Sequence, residues 1–151
     1  LIVGLFIAPQ RGAAMQSVEH IDVEADRGIL GDRYHSGNGT WSHWPDAAAE
    51  LTFIAEESLH AIAADLGRPL PPGIHRRTIV TRGVDLLSLI GKGFRIGTVH
   101  LLGDRPCAPC GYLESLTFPG MKEALLRHGQ GGLRAKIRGS GRIALGDGVE
   151  R

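Results

Sequence analysis

Short β-prone runs, each closed by glycine or proline, make up most of this chain, and that punctuation confines it to a turn-rich β architecture. The turns come from 22 glycines and 8 prolines in 151 residues. Residues 1–8 are apolar and β-prone and stop at Pro9. Residues 18–23 alternate and end in a polar turn at 24–28. Residues 51–54 form a short strand or the lead into a helix. Residues 77–81, 94–102, 133–137 and 142–145 read as further strands. A helical rhythm appears over 55–66, where Leu59, Ile62, Ala63 and Leu66 share one face and Gly67 is the stop. A second helix covers 119–128, with Pro119 early and Gly129 as its stop. Residues 84–90 read as a short helical turn. Helices do not follow every strand, which argues against a doubly wound sheet. The expected fold is mostly β, a barrel with a few peripheral helices.

The length fits one domain over 1–151. Formal net charge is +1, from 17 basic and 16 acidic side chains. That balance offers no field for nucleic acid or an anionic membrane. Residues 1–8 are too short to span a bilayer and lack the positive flank of a signal peptide. With only 2 cysteines there is no disulfide framework, so the expected location is cytoplasmic with both thiols reduced.

Both cysteines fall in one segment, Arg105-Pro106-Cys107-Ala108-Pro109-Cys110-Gly111-Tyr112-Leu113-Glu114. A thiolate is the reactive form, and nearby cations favour it. Arg105 supplies such a cation, and Pro106 and Pro109 stiffen the loop. The segment therefore reads as exposed and shaped, with a pair of packed thiols as the alternative. A thioredoxin-like dithiol fits less well, because Gly111 follows, no Trp precedes Cys107 and the context is β-rich. A closed zinc site needs four ligands. His35 and His43, the nearest approach to a cluster, match no common zinc spacing.

Two other groups carry candidate chemistry. Gly31-Asp32-Arg33-Tyr34-His35 can turn at Gly31 and point Asp32 and His35 into a shared site; on the residues alone, plain turn chemistry is the better account of it. Arg76, Arg77, Arg82 and Arg105 are candidates for an anion site, since guanidinium forks suit phosphate and carboxylate. Gly91-Lys92-Gly93 is not a phosphate-binding P-loop, because Gly93 stands where Ser or Thr would bind magnesium. Residues 31–44, with Trp41, His43 and Trp44, read as a long loop of functional character.

Taken together, four segments resemble the MOSC domain, named for the C-terminal domain of molybdenum-cofactor sulfurases. They are Gly31-Asp32-Arg33-Tyr34-His35; Arg77-Thr78-Ile79-Val80-Thr81-Arg82-Gly83-Val84-Asp85-Leu86; Ile96-Gly97-Thr98-Val99 leading to Arg105 and Pro109-Cys110; and Gly131-Gly132-Leu133-Arg134-Ala135 with Gly146-Asp147. The resemblance implies a barrel like that of pyruvate kinase, with small helices around it. It implies a cysteine that carries a persulfide or ligates molybdenum, and the family position falls on Cys110. Cys107 is an additional thiol, which would resolve a persulfide on Cys110. By the same resemblance, Arg77, Thr78, Arg82 and Arg105 would contact the molybdenum cofactor (molybdopterin), with Asp32 and His35 in the pocket wall. Many relatives have Asn where this chain has Thr78. The implied partners are a pyridoxal-phosphate-dependent cysteine desulfurase as sulfur donor, or an electron-transfer partner for molybdenum-dependent reduction of N-hydroxylated compounds. Two other readings stand beside it: a dithiol oxidoreductase using Cys107 and Cys110, and a non-catalytic module that binds an anionic small molecule.

Overall fold

The alternation of apolar and polar residues along the strands sorts the side chains onto two faces of a curled sheet. The structure is a computed structural model and describes residues 1–25, 27–33, 50–109 and 111–151. Eleven strands are described: β1 (Ile2–Ile7), β2 (Gln16–Ser17), β3 (His20–Glu24), β4 (Gly28–Ile29), β5 (Glu50–Ala55), β6 (Ile79–Thr81), β7 (Gly93–Ile96), β8 (Val99–Pro106), β9 (Leu133–Ile137), β10 (Gly141–Ala144) and β11 (Val149–Glu150). Eight of them form one sheet in the order β11-β7-β8-β9-β5-β6-β1-β2. The other three form a small sheet, β10-β3-β4. The large sheet curls into a half-barrel. Ile21, Val23, Ile29 and Ile143 of the small sheet complete the core with Leu5, Phe53, Ile79, Leu101 and Leu133 of the large one. The mostly β barrel-like architecture expected from the sequence is present.

The opposite face of β1, β5 and β6 is covered by helices. Phe6, Ile54 and Val80 point outward there and pack against Ile62 of α1 (Glu56–Leu66), Leu113 of α2 (Gly111–Ser115) and Met121 and Leu125 of α3 (Met121–Arg127). Burying a side chain such as Ile62 contributes about 1.5–3 kcal/mol. α1 links β5 to β6, which pair in parallel with Phe53 opposite Ile79 and Ala55 opposite Thr81. It ends at Gly67 as the sequence predicts, with the backbone in the left-handed region at φ 65°.

Several boundaries differ from expectation. Residues 94–102, read as one strand, form a hairpin: Ile96 pairs with Val99, so Gly97 and Thr98 make a two-residue turn. The buried positions change phase across the turn, from Phe94 and Ile96 to Val99 and Leu101, so the alternation belongs to two strands and not one. β6 begins at Ile79 and not at Arg77. α3 begins at Met121, with Gly120 as its N-cap, so Pro119 lies outside it. β2, β4 and β11 are two residues each, too short to show a period. No helix among the described residues is long and apolar enough to cross a membrane.

Candidate functional site

The cysteine segment leaves the sheet at the end of β8. β8 pairs with β9 so that Arg105 lies opposite Arg134 and Pro106 opposite Leu133. Beyond Pro106 the ladder gives way to a pinned loop. The Cys107 amide donates to the Gly132 carbonyl at 2.8 Å. Arg77 holds the same loop from the other side, donating from Nη2 to the Cys107 carbonyl (2.8 Å) and from Nε to the Gly131 carbonyl (2.9 Å). Arg77 is only 6% exposed, so these are charge-assisted bonds in a nearly dry setting. Gly131 and Gly132 permit the close approach. Gly132 has φ 106°, and a Cβ on it would overlap the Phe53 carbonyl oxygen.

Cys107 is 1% exposed and its thiol is free. This corrects the expectation of exposure for Cys107. Cys107 behaves as a small packed hydrophobe, because pinning of its own amide and carbonyl turns the residue inward. Cys110 and His35 lie outside the described residues, as do His43, Trp41 and Trp44.

The remaining arginines do not form one anion site. Arg105 and Arg134 converge on Glu50, with Nη1 of each about 3 Å from a different carboxylate oxygen (3.0 and 3.1 Å). Arg105 also pairs with its neighbour Asp104. Glu50 is 6% exposed at its side chain, so it is a buried bridge between two partly exposed cations. Arg82 lies at the far end of β6 from Arg77. It grips Glu56 of α1 through Nε (2.6 Å) and Nη2 (3.1 Å). The hydrogen bond from Arg82 holds the Glu56 carboxyl below its ordinary range. Arg76 donates to the Ala13 carbonyl at 2.6 Å.

Thr78 stands beside Thr52: its amide donates to Thr52 Oγ1 at 3.0 Å, and the two hydroxyls are 3.4 Å apart. With Arg134 opposite Thr52 and Arg105 opposite Arg134, the row Thr78–Thr52–Arg134–Arg105 runs from the residue just before β6 across β5, β9 and β8. Three of the expected residues, Arg77, Thr78 and Arg105, therefore gather near the cysteine loop, and Arg82 does not. Asp32 is 6% exposed and accepts from the Ala8 amide (3.0 Å) and from Arg33 Nη1 (3.1 Å), which fixes the turn after Gly31 to the end of β1.

Sequence reasoning did not single out Glu50 or His75. Glu50 is visible in hindsight as a polar position in the alternation Glu50-Leu51-Thr52-Phe53. His75 carries no pattern. It is 2% exposed, and its Nδ1 accepts the Arg77 amide at 2.9 Å. Burial, with the Arg77 charge adding to it, pushes its pKa down to about 3. Among the described residues, no group of three or more His, Cys, Asp or Glu is placed to hold a metal ion.

Residues 31–150 match the model of the MOSC domain family. The structure resembles that of the YuaD protein from Bacillus subtilis, with a TM-score of 0.75 and 22% identity over 99% of this chain and 93% of that one. It also resembles YiiM from Geobacillus stearothermophilus, with a TM-score of 0.72 and 15% identity over 98% and 72% of the two chains. YiiM from Escherichia coli gives a TM-score of 0.70 and 16% identity over 99% and 68%. At these identities the likeness speaks to fold. No curated protein matches the sequence.

Proposed function

The chain belongs to the MOSC domain family, which is associated with molybdenum-cofactor binding and sulfur transfer, and from that premise we propose that it works through Cys110 as a molybdenum ligand or sulfur carrier. The observation that carries this reading is the burial of Cys107 at 1% exposure in a loop pinned by Arg77 and Gly132. Thiol chemistry needs access to the attacking sulfur, so the burial of Cys107 favours Cys110 over it as the working group. The same burial counts against a dithiol couple and against Cys107 as a resolving thiol.

The residues around the loop suit the cofactor's chemistry. Soft thiolate ligands suit such a metal centre, and guanidinium forks suit a phosphate. When bound, the cofactor would supply the metal that a thiolate ligates. On the protein's side, Arg77 fixes the entry to the loop. Arg105 and Arg134 offer donors on the row beside it, in competition with Glu50. Thr78 offers a hydroxyl where many relatives have an amide. In the sulfur-carrier form, the Cys110 thiolate attacks the terminal sulfur of a donor persulfide. A new S–S bond forms on Cys110, the donor's S–S bond breaks, and the donor leaves as a thiolate. A pyridoxal-phosphate-dependent cysteine desulfurase is the proposed donor, and an electron-transfer partner is required if the chemistry is reductive.

The test is metal and pterin analysis of protein purified from a host that makes molybdenum cofactor, beside Cys110→Ala. Molybdenum retained by the wild type and lost from the variant supports ligation. If neither holds metal, persulfide labelling after incubation with a desulfurase and cysteine decides the carrier form. A label on Cys110 supports it, and no metal with no label refutes the whole reading.

A further inference from the structure

Away from the cysteine loop, a cavity of about 410 Å³ lies between α1 and the outer face of β1 and β6. That is within the range of small-molecule pockets, roughly 300–1,000 Å³. Val3, Phe6, Leu59, Leu70 and Val80 give it apolar walls. His75 borders it, and the state of that ring is settled by its surroundings. The ring meets Phe6 edge-on, with centroids 5.1 Å apart and planes at 82°. Nδ1 accepts the Arg77 amide hydrogen, so the ring proton sits on Nε2. No described residue bonds to Nε2. Yet among the described residues Thr81 Oγ1 is the one sealed side-chain nitrogen or oxygen without a partner. Nε2 therefore keeps contact with open space, and the space His75 borders is this cavity.

We infer that the cavity binds a neutral, largely apolar small molecule that carries one hydrogen-bond acceptor, which takes the Nε2–H of His75. Burial keeps the ring uncharged at physiological pH, so it presents a dipole and not a cation. Glu56 lies in the wall, and its negative charge disfavours an anionic ligand. Because Glu56 is already gripped by Arg82 through two hydrogen bonds, the wall does not call for a cationic ligand either. An acceptor such as a ketone or ester carbonyl meets the Nε2–H of buried His75, and apolar bulk fills the rest; His60, the other histidine in the wall, is exposed to solvent.

Acetophenone, ethylbenzene and benzoate test this, because they share a phenyl ring and differ in bearing a neutral acceptor, none, or an anionic one. Binding is read from amide shifts and from the His75 ring nitrogens by NMR. Acetophenone is expected to bind about tenfold tighter than ethylbenzene, as one hydrogen bond is worth, and to shift Nε2 and not Nδ1. Benzoate is expected to bind more weakly than acetophenone. Ala63→Trp, which fills the cavity from α1, is expected to abolish binding. Equal affinity for acetophenone and ethylbenzene, an unmoved Nε2 signal, tighter binding of benzoate, or no binding up to the solubility of acetophenone would each overturn the inference. The ring-nitrogen signal is read in the unaltered protein, so it decides the matter even if Ala63→Trp does not fold. None of these readings involves Cys110.

Discussion

Arg77 joins three parts of the molecule through one residue. Its amide donates to His75, and its guanidinium donates to the carbonyls of Cys107 and Gly131. A lysine has the charge but not the fork, so it cannot reach both carbonyls in the same plane. Arg77→Met leaves two carbonyls without their charged donor in a buried setting. It is expected to destabilise the fold by roughly 2–4 kcal/mol in urea unfolding, with Arg77→Lys in between. Arg82→Ala is the control. Its pair with Glu56 stands in solvent, and exposed pairs contribute little. A loss of stability from Arg82→Ala as large as that from Arg77→Met would show that the cysteine loop is not what Arg77 secures.

The junction of β9 with its neighbours sets where the cysteine loop begins. Phe53 of β5 and Pro106 of β8 both face Leu133, so the start of β9 aligns the central strand with the strand that delivers the loop. Gly132 stands just before that point at φ 106° and against the Phe53 backbone. Gly132→Ala meets an unfavourable backbone conformation and a steric overlap together, and the expected cost is about 3 kcal/mol or more. The Gly132 carbonyl also accepts the Cys107 amide, so the damage should reach the thiol. In a Cys110→Ala background, labelling of Cys107 by a thiol reagent is expected to be slow, and to become several-fold faster when Gly132→Ala is added. Unchanged labelling would mean that the loop is held independently of β9.

At the scale of the whole molecule, one core is shared by both sheets and by residues from Ile2 to Ile143, with Val149 packed against it. Unfolding is therefore expected as a single transition. Its stability should depend on pH through His75. The folded ring stays neutral down to about pH 3, whereas the unfolded ring takes a proton near its ordinary value of 6.5. Between those values the unfolded state holds the extra proton. Stability is thus full above about pH 6.5 and falls as the pH drops toward 3, by at most about 1.4 kcal/mol per pH unit. The Asp22 and Glu56 carboxyls, held low by hydrogen bonds from Arg142 and Arg82, add to acid lability only below their ordinary range near pH 4. The interval from pH 6.5 to 5 therefore separates the His75 limb from those two carboxyls. His75→Gln keeps an acceptor for the Arg77 amide and is expected to flatten that limb; an unchanged slope would assign it to other groups.

What the chain carries locally was legible from its residues. Glycine and proline mark the turns, period-two alternation marks the long strands, and the rhythm ending at Gly67 marks α1, because each is a near-neighbour property of the backbone. The family was legible too, since its motifs keep their order and spacing along the chain. The tertiary structure decided which of those residues share a site. Arg77 and Arg82 are close in sequence, but a strand carries them to opposite ends of β6, while Arg105 and Arg134 meet through pairing of β8 with β9. It also decided the state of Cys107. Proline, glycine and arginine beside it suggest an exposed loop, but hydrogen bonds to Arg77 and Gly132, distant along the chain, turn it inward. Burial and long-range pairing depend on contacts between remote segments, and local pattern carries no record of those.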